Sequence, residues 1–465
     1  MTELLPLQRS ARHWLPVPWR AALALGLALG LGPITGCAGP GLAARHRALE
    51  AEWQTRAPRG AAATADDPLA GAPALSREQL VRSVLERNPT VRAARYAWRA
   101  ALARYPQVTS LDDPMLGAGV VPPSFGSDTV NEAYQVDLSQ KLPFPGKLGL
   151  RGEIALAEAE AAAKDHEAVR LRLATMASLL FDELYFLDRS LEINDEHLEL
   201  LADFLRIATV RYEAGEAAQQ APLQAEVEQA HLIHRAVVLA TSRRVVTEQI
   251  NQLLHRPAGR PLPPLPRSLA LPSAAVPDAE ALLARALENR PEVQAARARV
   301  AGHDSAVSLA RREFLPDFTL VGAYNGVMQE SDLQPFVGLQ VNVPLRLARR
   351  RAALDEARAE LERSEAEQAG VEDEVGFAVV AAVERMREAH QVLQLFRDRL
   401  LPAAGDQVEA ARAGFESGTN SFLALIDAER SLRTVRLGHE EAVANLSRRR
   451  AELDRAIGQI PGVAW

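Results

Sequence analysis

The chain repeats itself, and this limits its fold more than any other feature. Glu86 to Arg95 reads E-R-N-P-T-V-R-A-A-R, and Glu288 to Arg297 reads E-N-R-P-E-V-Q-A-A-R. Pro89 and Pro291 are 202 residues apart, as are Val91 and Val293. Leu142-Pro143-Phe144 returns as Val343-Pro344-Leu345 at an offset of 201, and Tyr212-Glu213-Ala214-Gly215 as Phe415-Glu416-Ser417-Gly418 at 203. Ala225-Glu226 and Ala428-Glu429 keep that last offset. An offset this steady means two copies of one structural unit, not a series of unrelated domains. The composition fits helical copies: 48% of the 465 residues are apolar but only 5% aromatic.

Each copy reads as helix, two strands, long helix, shorter helix. The first helix opens at Ser76, whose spacing to Gln79 is that of a capping box, and runs to about Tyr105. Met115–Val121 and 133–142 read as strands. In the second of these, Tyr134, Val136, Leu138 and Leu142 alternate with Gln135, Asp137, Ser139 and Lys141. Val337, Leu339, Val341 and Val343 alternate with Gly338, Gln340 and Asn342 in the other copy. Period-two alternation predicts a sheet with one apolar and one polar face. The long helices carry another rhythm. Leu173, Ala177, Leu180, Leu184, Leu187, Leu191, Asn194, Leu198, Leu201, Leu205, Ala208 and Tyr212 are spaced 4, 3, 4, 3. Val375, Val379, Ala382, Met386, Ala389, Leu393, Phe396, Leu400, Ala403, Gln407 and Ala410 repeat the pattern. That spacing is a coiled-coil seam, which Pro402 is expected to kink or split. At 1.5 Å per residue, a helix from Lys147 to Arg211 spans roughly 98 Å, and Glu78–Tyr105 plus Pro222–Leu254 roughly 92 Å. The second copy gives roughly 105 Å for Arg346–Phe415, against roughly 112 Å for Asp278–Phe314 plus Ser421–Ile457. Each long helix is therefore matched by two short ones stacked end to end.

Four strands cannot close a barrel within one chain. A sheet in lipid must satisfy its edges, and the smallest single-chain barrels use about eight strands. The sequence thus predicts a mainly α protein with a membrane β-barrel shared among subunits, its long antiparallel coiled-coil helices forming an α-barrel. The competing reading is a soluble trimeric coiled coil bearing small hairpins. The N-terminus favours the membrane: Arg9, Arg12 and Arg20 precede an apolar run from Ala21 to Leu31, too short for a transmembrane helix. The run ends at Ile34-Thr35-Gly36 before Cys37, the only cysteine, which reads as a lipid-attachment site (palmitate) rather than a buried thiol. Ala38, in place of Asp, points to the outer membrane. The domains are then signal peptide 1–36, lipidated extended tether 37–75, first repeat 76–255, Pro-rich linker 256–277, second repeat 278–458 and tail 459–465.

The ordered motifs Asn88 to Arg95, Arg290 to Val293, Leu142-Pro-Phe-Pro-Gly-Lys147, Arg211-Tyr-Glu-Ala-Gly215 and Phe415-Glu-Ser-Gly-Thr419 resemble the TolC family of outer-membrane efflux channels, over roughly residues 76–458. The resemblance implies a homotrimer with a twelve-stranded barrel in outer-membrane lipid and a helical tunnel in the periplasm. Its partners would be a periplasmic adaptor (membrane fusion) protein and an inner-membrane transporter of the RND type. It implies passive conduction of metal ions or drugs, and the Phe-Pro-Gly-Lys segment leans toward metal resistance. The turns at Gly215-Glu216 and Gly418-Thr419 would form the tip where adaptors dock. Asp427 would be a pore-constriction residue, although Ala424 stands where a second acidic residue is expected. Type I polypeptide export and a structural envelope lipoprotein are the alternatives.

Enzyme signatures are missing from the sequence: there is no G-x-S-x-G, H-E-x-x-H, G-x-x-x-x-G-K or G-x-G-x-x-G. The chain is expected to be neither an enzyme nor a cofactor binder. A net charge of −7 leaves no basic footprint for nucleic acid. His231 and His234, i and i+3 on a helix, are a conceivable metal pair without a third ligand nearby, so no metal site is expected.

Overall fold

The computed structural model describes residues 39–56, 69, 73–126, 128, 133–215, 218–271, 278–328, 334–417 and 419–461. The signal segment, Cys37, Glu216, Gly418 and residues 272–277 of the linker lie outside them. The helices and strands, numbered in chain order, are α1 (Pro40–Thr55), α2 (Arg77–Arg87), α3 (Pro89–Leu102), α4 (Arg104–Thr109), β1 (Met115–Val120), β2 (Tyr134–Leu142), α5 (Lys147–Glu213), α6 (Gln220–Leu253), α7 (Ala279–Asn289), α8 (Pro291–Arg312), β3 (Phe318–Asn325), β4 (Pro335–Val341), α9 (Leu347–Leu395), a π turn (Phe396–Leu400), α10 (Leu401–Glu416) and α11 (Phe422–Ala456). The described residues divide into two compact units: those within 39–52, 100–159 and 299–364, and those within 53–99, 160–298 and 365–461.

The first unit holds one antiparallel sheet in the order β1-β2-β3-β4, which leaves β1 and β4 as its edges. Its register places Leu116, Ala118 and Val120 of β1, Tyr134, Val136, Leu138 and Leu142 of β2, Phe318, Leu320 and Tyr324 of β3, and Val337, Leu339 and Val341 of β4 on a common face. The apolar face read from the sequence thus runs across both copies, interrupted by Gln140 opposite Leu320, and it is uncovered: Leu116 is 75% exposed and Val337 71%. Stacked rings mark its two ends, Tyr134 with Tyr324 (centroids 5.9 Å apart) and Phe144 with Phe318 (6.4 Å). The last strand stops at Val341, short of Val343, because Pro344 has no N–H to continue the ladder; the Asn342 N–H bonds back to the Asp317 carbonyl at 2.9 Å. At the sheet-to-helix junction Lys147 is buried, its Nζ donating to Asp317 Oδ1 (2.9 Å), Glu313 Oε2 (3.2 Å) and the Leu315 carbonyl (3.2 Å). The Phe144 N–H donates to the same Asp317 oxygen at 2.9 Å.

The tether contains a helix where the sequence suggested extended chain. α1 is built from Leu, Ala, Arg and Glu, all strong helix formers, which outweigh the flanking Pro and Gly. In the first unit its Leu42 and Leu49 pack on Tyr105, Ala155 and Leu156, and its His46 ring stacks on Tyr105 at 4.6 Å. In the second unit the Trp53 indole N–H donates to the Arg95 carbonyl at 3.1 Å, under the Arg95 guanidinium.

The second unit contains the coiled-coil seams. Leu173, Ala177, Leu184 and Leu187 of α5 are buried with Leu80, Val81 and Val84 of α2 and Leu239, Val246 and Ile250 of α6. Val375, Val379, Ala382, Met386 and Ala389 of α9 pack with Leu282 and Ala286 of α7 and Leu446 and Leu453 of α11. Ser76 caps α2 with the reciprocal Ser76–Gln79 box. The first helix of each copy is broken rather than continuous, because the residue before proline is forced out of the helical region. Asn88 (ψ 126°) precedes Pro89 and Arg290 (ψ 123°) precedes Pro291. Each uses its side chain to bind the end of its copy's last helix: Asn88 Nδ2 donates to the Leu253 carbonyl at 2.9 Å, and Arg290 Nη1 to that of Arg455 at 3.0 Å. The acceptors, like the donors, are 202 residues apart.

Pro402 does split the second long helix, and the π turn before it shifts the seam. Ala404, Val408 and Ala411 are buried in α10, where the heptad count pointed to Ala403, Gln407 and Ala410. A π turn takes up one extra residue, which moves each later contact by one. Phe396 of that turn lies against Gly438, where a Cβ would come within 2.6 Å of the ring. Arg77, Asp182 and Ser447 meet in the same unit, the Arg77 guanidinium donating to both others. Burial pushes the Asp182 carboxyl up to about 6, against the pull of Arg77. Residues 256–271 of the linker lie on the first copy: Leu262, Leu265 and Leu269 pack against its core, and the Pro264 carbonyl accepts from the Leu75 N–H at 2.8 Å.

Candidate functional site

Two parts of the molecule are candidates for function, the sheet and the helix reversals. The face that carries the polar residues of the sheet holds Met115, Gly117 and Gly119 of β1, Gln135, Asp137, Ser139 and Lys141 of β2, Thr319, Val321, Ala323 and Asn325 of β3, and Phe336, Gly338 and Gln340 of β4. Lys141 Nζ is 3.8 Å from Asp112.

At the reversal after α5, Gly215 has φ +79°, a left-handed conformation that suits glycine. Its N–H bonds to the Tyr212 carbonyl at 2.9 Å. At the other reversal Thr419 is a local cap: its N–H (2.8 Å) and Oγ1 (3.1 Å) both donate to the Gly414 carbonyl. Ser421 then caps α11 by accepting from the Ala424 N–H at 3.2 Å. The two reversals share a core in which Phe422 packs against Phe204 and Phe415, and Arg211 lies over the Phe415 ring at 4.3 Å.

Asp427 is exposed on α11, but it is not alone. Arg430 donates to it at 3.2 Å and, through its other terminal nitrogen, to Glu228 of α6 at 2.8 Å. Arg433 reaches the second Glu228 oxygen at 3.2 Å. Burial would raise the Glu228 carboxyl, but the hydrogen bond and charge of Arg430 and the charge of Arg433 hold it below its usual value. Glu429 beside it is raised by burial, against Arg412. His197, held down to about 4 by burial and by Arg436 and Arg433, lines the same small cleft. This cluster ties the two copies together and was not legible beforehand, since no sequence pattern pairs Glu228 with a residue 202 positions away. His231 and His234 lie exposed on α6, and no group of three potential metal ligands exists among the described residues.

A duplicated helix–hairpin–helix chain with a four-stranded sheet and seam-packed helices is the fold of outer-membrane channels. The solved structure of the outer-membrane channel OprN covers 84% of this chain and 95% of its own at a TM-score of 0.65 and 21% identity. VceC, an outer membrane protein of Vibrio cholerae, covers 82% and 96% at 0.69 and 18%. Within that class, residues 282–459 match the outer membrane efflux protein family. The chain is also 25% identical over 191 residues to the cobalt-zinc-cadmium resistance protein CzcC of Cupriavidus metallidurans, a match spanning 41% of this chain and 44%, less than half, of that relative. The TolC-family resemblance carried by the duplicated motifs is borne out by these matches, and the family matched is described as outer membrane efflux proteins.

Proposed function

We propose that the chain is one subunit of a homotrimeric outer-membrane efflux channel, a passive conduit that works with a periplasmic adaptor and an inner-membrane transporter of the RND type. The observation that carries this reading is the four-stranded sheet with an exposed apolar face and two unpaired edges, β1 and β4. Lipid would cover the face, and only neighbouring subunits can satisfy the edges. α6 supports it: Leu223, Val227 and Val237 are all at least half exposed and lie on the side opposite its buried seam of Ala225, Leu232, Leu239 and Val246, as a helix packed between two neighbours requires.

Similarity to CzcC favours metal cations as cargo over drugs or polypeptide. Cys37 would carry the lipid, the reversals at Gly215-Glu216 and Gly418-Thr419 would receive the adaptor, and Asp427 would face the pore. Native mass spectrometry of the detergent-extracted protein, followed by planar-bilayer recording, tests the reading. A trimer that carries current is expected; a stable monomer with intact β-structure overturns it.

A further inference from the structure

One row of the sheet joins groups of opposite character. Asp137 pairs with Gly117 on one side and Ala323 on the other, and Ala323 pairs with Phe336. Residues in register share a face, so all four lie on the polar side. Across the strands the wall beside Asp137 is bare, with Gly117 on one side and Ala323 on the other, while Gln135 and Ser139 flank it along β2. A Cβ on Gly117 would sit 2.5 Å from Asp137 Oδ1, so the carboxylate lies across that glycine. A Cβ on Gly338 would sit 2.7 Å from two Phe336 ring atoms, so the ring lies along the wall over Gly338, and it is 56% exposed. Phe336 is the one aromatic ring among the strand residues of this face, which it shares with two other apolar side chains, the exposed Met115 and the buried Val321. Asp137 and Lys141 are the only charged residues in the four strands. Lys141 has Asp112 beside it, whereas Asp137 has no cationic partner among the described residues.

Two strand spacings, about 10 Å, separate the backbones of Asp137 and Phe336. Between them lies only the methyl group of Ala323. A bare metal ion passing here meets the carboxylate alone. The carboxylate reaches over β1 and the ring over Gly338 of β4. A flat organic cation that meets both therefore spans three strand spacings, roughly 14 Å, with its charge at the carboxylate and its face on the ring, where a cation–π contact forms. We propose that Asp137 and Phe336 form a subsite for flat aromatic organic cations on the inner wall of the barrel, repeated once per subunit. The inference rests on the trimeric-channel reading, with the polar face turned inward, and it widens the cargo beyond metal ions.

Single-channel recording of the full-length trimer at low salt tests it with two dications of equal charge, methyl viologen, which is flat and aromatic, and magnesium. Asp137→Asn is expected to weaken block by both about fivefold, and less at high salt. Phe336→Leu is expected to weaken methyl viologen block about threefold and leave magnesium block unchanged. Phe336→Tyr, which keeps the ring, should retain wild-type block. If Phe336→Leu changes both blockers equally or neither, or if Asp137→Asn changes neither, the subsite is wrong while the channel stands. If the wild-type trimer inserts and carries no current, the channel reading falls and the subsite with it.

Discussion

Replacing Lys147 with methionine removes one charge and keeps the length and shape of the side chain. Lys147 is 1% exposed, and its ammonium holds Asp317, which is 14% exposed, together with Glu313 and the Leu315 carbonyl. Breaking a buried ion pair from one side costs about 3–5 kcal/mol, because the partner charge stays buried and unpaired. Here the lower end applies, since Glu313 can turn to water and Asp317 keeps the Phe144 N–H as donor. A loss of about 3 kcal/mol, if it falls on the unfolding barrier, speeds unfolding roughly 150-fold at 25 °C. The assay is the rate of guanidinium-driven unfolding of the detergent-extracted protein, followed by far-ultraviolet circular dichroism. The double variant Lys147→Met, Asp317→Asn should recover most of the loss, since it removes both charges. An unfolding rate within twofold of wild type for Lys147→Met would refute the view that this contact secures the sheet to the long helix.

Four further outcomes are expected. Asp182 has a folded pKa near 6, above its ordinary value of 3.8, so its stabilising contribution is complete below about 3.8 and is lost as pH rises through 6, roughly 3 kcal/mol in all. Denaturant midpoints should show this slope between pH 4 and 7 in wild type and lose it in Asp182→Asn; a slope of opposite sign contradicts the assignment. Gly438→Val should destabilise by about 1–3 kcal/mol by overpacking against Phe396, seen as a lower midpoint, and an unchanged midpoint would count against that close approach. Metabolic labelling with a fatty acid should mark wild type but not Cys37→Ala, and equal labelling would remove the lipid anchor. Asp427→Asn should reduce cation selectivity at low salt by a small factor only, because Arg430 already partners the carboxylate; identical reversal potentials would move the constriction elsewhere.

The duplication was legible because each copy spells the same hydrophobic periods, and those periods fixed strands, long helices and the sheet's two faces. Helix continuity was misread at Asn88 and Arg290, where the proline that follows was the available signal. α1 was missed because Pro40, Gly41 and the Ala-Pro-Gly tract that follows the helix masked a helix-forming core between Leu42 and Trp53. The seam beyond Pro402 slipped by one residue since a heptad count has no means of registering a π turn. Ion pairs such as Glu228 with Arg430 depend on how the copies pack, and the role of Phe336 depends on which residues the register sets beside it. Neither is written in local spacing.

The shared barrel is tested most directly at the open edges of the sheet. In a Cys37→Ala background, pairs of cysteines can be placed one on β1 (Leu116→Cys, Ala118→Cys or Val120→Cys) and one on β4 (Val337→Cys, Leu339→Cys or Val341→Cys). Within one chain these edges are three strand spacings apart, about 14 Å, well beyond the roughly 7 Å that a disulfide tolerates between Cα atoms. Oxidation in native membranes should therefore yield covalent trimers for at least one pairing register, and none for either single-cysteine parent. Failure of every register to link chains, with the protein folded and in the membrane, would contradict a barrel closed edge to edge by three copies.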